Sequence, residues 1–110
     1  GAVSAASGAA AGIAFLMGGD EALICQTITN TLGNVAGMIC DGAKPSCAAK
    51  IASAVDAALL GWELAKNGKG FLPGEGIVKA DIEGTIAAVG RLGHCGMRRT
   101  DLEIISIMTE

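Results

Sequence analysis

Large aromatic rings are almost missing from this chain. It has no tyrosine, one tryptophan and two phenylalanines, so aromatics make up only 3% of 110 residues. That shortage argues against a sandwich whose sheets pack through large rings. No stretch alternates apolar and polar residues over a strand's length, so no half-buried strand is predicted. Basic residues are few and scattered: eight Lys and Arg against eleven Asp and Glu leave a formal net charge of −3. Without a basic face to neutralise phosphates, nucleic acid is excluded as a partner. Gly74-Glu75-Gly76 has neither the Walker spacing nor the full dinucleotide pattern. Histidine occurs once, as His94 beside Cys95. Adjacent side chains rarely face one another, and no third group completes a Cys–His nucleophile.

Charge is also absent from Gly1 to Gly19. The length nearly allows a membrane span. The segment is mostly Ala, Gly and Ser, however, which gain little on transfer to lipid, and no basic residue precedes it as in a signal peptide. We expect no membrane contact and read it as a helix buried within protein. A segment apolar on every side asks for more protein than this chain contains.

What is present in abundance is small and apolar. Hydrophobic residues make up 51% of the chain, and 17 residues are glycine. A core of Ala, Gly, Ile, Leu and Val lets backbones approach closely. The length suits one domain, residues 1–110. The expected fold is all-α: a compact bundle of four to five helices with small-residue-rich contacts. The first helix runs over Val3–Met17, where Ser4, Ala5, Gly8 and Gly12 form a small-residue face; Gly18-Gly19 ends it. Asp20 caps the second helix, which runs from Glu21 to Val35 or beyond, with Ile24, Ile28, Thr31, Leu32 and Val35 at helical spacing. Thr27, Thr29, Asn30 and Thr31 are a mild conflict there, being middling helix formers.

Ser46 can cap a third helix over Cys47–Asn67, with Ala48, Ile51, Ala52, Val55, Ala58, Leu59, Trp62 and Ala65 along one side. Asn67 to Gly76 is a loop, either a substrate lid or a plain connection. Asp81 starts a fourth helix to about Leu92, buried through Ile82, Ile86, Val89 and Leu92. Thr100 with Glu103 forms a capping-box pattern. The last helix, Asp101–Met108, then turns Leu102, Ile105 and Met108 inward.

Four cysteines in a short chain could staple a secreted scaffold. The helical, Ala-rich composition and the lack of a secretory signal point instead to a reducing cytoplasm with free thiols. Two of them, Cys40 and Cys47, bracket a corner that Gly42 and Pro45 keep from being helical. Both thiolates could reach one soft metal ion. The same spacing fits a helix–turn–helix corner whose thiols are small buried groups. It matches neither the closer zinc-finger pairs nor the ferredoxin runs. Asp41 and Lys44 lie between the thiols, as substrate-orienting groups or as solvated turn residues. Cys25 falls mid-helix, as core. Lys79, Arg98 and Arg99 could hold a carboxylate or simply face water.

The corner also carries a family likeness. Gly33-Asn34-Val35-Ala36-Gly37-Met38-Ile39-Cys40-Asp41-Gly42-Ala43-Lys44-Pro45-Ser46-Cys47 resembles the signature of the L-cysteine desulfidase branch of the L-serine dehydratase alpha-chain family. The Ala/Gly-rich Gly1–Gly19, Gly74-Glu75-Gly76-Ile77-Val78 with Asp81, Gly96-Met97, Thr100-Asp101 and Ile107-Met108 agree with it.

The resemblance implies an oxygen-sensitive lyase with a four-iron four-sulfur (4Fe-4S) cluster and no pyridoxal phosphate (PLP). Three cysteines would hold the cluster, and the open iron would act as a Lewis acid on the leaving group of a small amino-acid substrate. A base takes the α-proton, and elimination yields an aminoacrylate that decays to pyruvate and ammonia. Carried over, Cys40 and Cys47 are two of the ligands, and Asp41 and Lys44 line the open side as substrate-binding residues. The remaining ligand is expected at or just before Gly1, where this chain has no cysteine; neither Cys25 nor Cys95 matches that place. Full-length members are several times longer, and an N-terminal portion supplies the base and much of the substrate site. The chain is thus expected to be the C-terminal part of such a cytoplasmic enzyme, inactive alone, with the remainder of the parent as its partner. Its exposed apolar surface predicts a homo-oligomer. A helical assembly module with inert cysteines stays open as the reading from another class.

Overall fold

The computed structural model describes residues 2–39 and 45–110. Those residues form helices and connections only, as the small-residue composition requires. The helices are α1 (Ala2–Leu16), α2 (Glu21–Val35), α3 (Pro45–Lys66), α4 (Ile82–Arg91) and α5 (Arg98–Met108), with a π-helical turn, Leu92–Gly96, between the last two. The principal extents are 48 × 28 × 15 Å.

Helix ends follow local chemistry. At the end of α1, Gly18 takes a φ of +84°. The Gly18 N–H then reaches the Phe15 carbonyl and the Gly19 N–H reaches that of Ala14, satisfying two otherwise orphaned acceptors. Asp20 caps α2, its carboxylate accepting from the Leu23 N–H at 2.9 Å. Asp81 caps α4 in the same way, accepting from the Gly84 N–H at 2.7 Å. Two expected caps are corrected. The third helix already begins at Pro45, which puts Ser46 inside its first turn; proline suits the first helical position because that N–H has no partner there in any case. The last helix begins at Arg98, so Thr100 is likewise inside the first turn.

The body of the molecule is α1, α2 and α3, each packed on the other two. Its core is built from small side chains. Ala6, Ala10 and Ala14 of α1 and Ala54 and Ala58 of α3 are fully buried, with Leu32 and Val35 of α2. One buried methyl or methylene is worth only about 0.8 kcal/mol, so the core depends on many close contacts. Gly61 shows how close they are: a Cβ there would lie 2.6 Å from the Thr31 hydroxyl and 3.0 Å from the Thr27 carbonyl.

This closeness corrects part of the expected face of α3: Ala58, Trp62 and Ala65 are buried as expected, and the rest of that side is not. The buried residues are Ala54, Ala57, Ala58, Gly61, Trp62 and Ala65, whereas Ala48, Ile51, Ala52, Val55 and Leu59 are exposed. Branched side chains would hold α1 and α2 away, so they sit on the flank. The polar run of α2 is resolved within the helix itself. Thr27, Thr29 and Thr31 donate to the carbonyls of Leu23, Cys25 and Thr27 at 2.7, 2.9 and 2.7 Å, so their hydroxyls are buried without loss.

Outside the body, α4 packs on α2, while α5 touches the π-helical turn and no other helix among the described residues. Ile82 and Val89 are half-buried, but Ile86 and Leu92 are exposed, and the buried residue of α4 is Thr85. Leu102, Ile105 and Met108, expected to face inward, are all exposed. No helix among the described residues is long and apolar enough to cross a membrane.

Candidate functional site

The corner between α2 and α3 is approached from both sides by ordered structure. Helix α2 ends at Val35, and the Met38 N–H bonds back to the Val35 carbonyl at 3.0 Å. Met38 packs against the core cluster of Ala6, Val35, Ala54 and Ala57. The next carbonyl, that of Ile39, accepts from Lys50 Nζ at 3.0 Å. Lys50 lies three residues after Cys47 on α3, and residues so spaced are neighbours on a helix surface. The chain therefore enters the corner alongside the part of α3 that carries Cys47.

Cys47 occupies the first turn of α3 and is half-buried as a free thiol. Its helical register matches that of Ala54, Ala58, Gly61 and Ala65, so it continues the inward face of α3 to the helix's open end. A helix N-terminus favours a thiolate, because the unpaired N–H groups carry partial positive charge. Cys40, Asp41 and Lys44, the other residues singled out at this corner, lie outside the described residues.

The remaining thiols stand apart on other elements. Cys25 is half-buried on α2 and lines a pocket of about 280 Å³ with Gln26, Thr29, Phe71 and Lys79. Cys95 is exposed in the π-helical turn, as is His94. It lines a groove of about 480 Å³ with Lys79 and Arg91. Arg98 and Arg99, grouped with Lys79 on sequence, lie on α5 and do not line that groove. Among the described residues, no three His, Cys, Asp or Glu side chains come together to hold a metal ion.

The loop after α3 is fastened down. Asn30, 2% exposed on α2, donates to the carbonyls of Gly61 and Lys69 at 3.2 and 3.4 Å. It accepts from Gln26 Nε2 at 2.8 Å and from the Phe71 N–H at 3.1 Å. Gly70 is needed at this point, since a Cβ there would fall on the Gln26 amide. These bonds favour a connection over a mobile lid. Sequence reading passed over Asn30 as a poor helix former. The signal that could have found it is the polar pair Gln26 and Asn30, one turn apart on a helix, in a chain with a Gly-rich loop to fasten.

The serine dehydratase alpha chain family model matches residues 1–106, nearly the whole chain. The chain belongs to that family. Three curated relatives are UPF0597 proteins. That of Lachnoclostridium phytofermentans is 60% identical over 108 residues, covering 98% of this chain and 26% of the relative. That of Treponema denticola is 53% identical over 108 residues, covering 98% and 25%. That of Finegoldia magna is 49% identical over 110 residues, covering 100% and 26%. This serine dehydratase alpha chain family member thus spans about a quarter of the length of the curated relatives it matches. No solved structure matches it.

Proposed function

We propose that this chain is the cluster-binding portion of an iron–sulfur lyase that eliminates sulfide from L-cysteine or water from L-serine. Family membership supports a serine dehydratase-related role. The observation that carries the cluster reading is the Lys50–Ile39 bond, which ties the residue before Cys40 to a side chain three positions after Cys47 on α3. The fit of a 4Fe-4S cluster to the described residues is partial. Cys47, a half-buried thiol at a helix N-terminus, suits one thiolate ligand, and no group of three His, Cys, Asp or Glu side chains forms among the described residues. Cys40 and a donor from the rest of the longer protein complete the set on this reading.

A bound cluster with one open iron would supply Lewis-acid chemistry to the departing sulfide or water. The work left to this chain is positional. Cys47 is set in the first turn of α3, and the Lys50 side chain holds the Ile39 carbonyl. Asp41 and Lys44 take the role of substrate-orienting groups beside the thiols. The base, the rest of the substrate site and any homo-oligomer contacts belong to the parent protein.

The test is anaerobic reconstitution of the full-length protein with iron and sulfide, followed by absorbance near the cluster bands, iron analysis and lyase assay with both amino acids. The expected result is a brown, active protein, with colour and activity lost on Cys40→Ser or Cys47→Ser. Zinc in place of iron, or full activity in both variants, would overturn it. A folded protein that takes up no metal would favour the helical assembly module.

A further inference from the structure

Helix α1 carries no charged residue on any side. Such a helix is stable only when protein surrounds it, yet the described residues cover just one face. That face is Ala6, Ala10 and Ala14, all fully buried against α2 and α3. At about 100° per residue, Ser4, Ala5, Gly8, Gly12, Phe15 and Leu16 fall on the far side. Gly8 and Gly12 are exposed, and a Cβ built on either meets nothing within 4 Å. Phe15 and Leu16 continue the same face at 71% and 82% exposure.

Two glycines inside a helix weaken it, because Gly gives up the most backbone freedom on ordering. At Gly61 the weakness is offset by close contact with α2. At Gly8 and Gly12 no contact among the described residues offsets it. The outer face thus has the shape that α3 presents to α2, small residues over a close approach, with large apolar groups at one end. The curated relatives are about four times as long as the matched segment, so most of the family's chain lies outside this structure.

We propose that the outer face of α1 seats a helix from the remainder of the same polypeptide, crossing at Gly8 and Gly12 with its apolar side against Phe15 and Leu16. α1 is then the middle layer of the full-length protein. This rests on α1 and the relatives' length alone, and stands whether or not the cysteines bind a cluster.

The full-length protein carrying Gly12→Leu tests it. Leucine is the better helix former, so at an open surface it would leave the melting temperature unchanged or raise it. With a helix seated there, it lowers the melting temperature by about 3 °C or more. An unchanged or raised value overturns the proposal. In a second measurement, Gly8→Cys in the folded full-length protein is treated with a maleimide and the labelled peptide quantified. Protection until denaturant is added is expected, and rapid labelling of the native protein overturns the proposal. If light scattering shows that Gly12→Leu converts a dimer to a folded monomer, the occupant is a second copy and the proposal fails.

Discussion

The first three helices and the last two end in different states. α1, α2 and α3 bury small side chains against one another, each packed on the other two. Among the described residues α4 packs on α2 and the π-helical turn, and α5 presents Leu102, Ile105, Ile107 and Met108 to solvent. The two regions differ in composition, α1 carrying no charge and α5 carrying Arg98, Arg99, Asp101 and Glu103, and they differ in backbone proximity as well. Where Ala and Gly line a face at four-residue spacing, another helix can come close enough for many weak contacts to add up. Where Ile and Leu sit on a short helix, burial waits for a large neighbouring surface, which the described residues do not supply.

The sharpest way to break this contrast is to spoil the close approach. Gly61→Val places a branched side chain where even a Cβ would be 2.6 Å from Thr31. We expect a loss of about 3 kcal/mol in urea unfolding, at the upper end of overpacking costs. A loss under about 1 kcal/mol would mean that α2 and α3 do not meet there. Removing the polar fastener comes next. Asn30→Ala leaves the Phe71 N–H and the Gln26 amide without their acceptor. The expected cost is about 2 kcal/mol, together with faster amide exchange at Phe71; unchanged exchange would show that the loop is held by other means. The smallest effect belongs to α5. Leu102→Ser, at a residue 63% exposed, should shift the stability of this 110-residue chain by less than about 0.5 kcal/mol. A larger loss would place α5 against the body and dissolve the distinction between the two regions.

The candidate site was legible in part. Proline and glycine around the corner placed Cys47 at the start of a helix, and the structure agrees to within two residues. The tie from Lys50 to Ile39 was not legible, because a long, flexible lysine can reach many acceptors and its choice depends on where the previous helix ends. Asn30 was hidden for a related reason. Its four partners come from its own helix, α3 and the loop, residues up to 41 positions away.

Five helices, most of their ends and the absence of strands were settled by the order of residues alone, because capping and turn chemistry act over three or four neighbours. Asp20, Gly18 and Asp81 do their work whatever surrounds them. Which side of each helix is buried was decided only in three dimensions. On α1 and α3 nearly every position is small or apolar, so hydropathy is similar all round the helix. Choosing Ala6, Ala10 and Ala14 over Ser4, Gly8 and Gly12 takes a neighbouring helix, since burial depends on how near a second backbone can come.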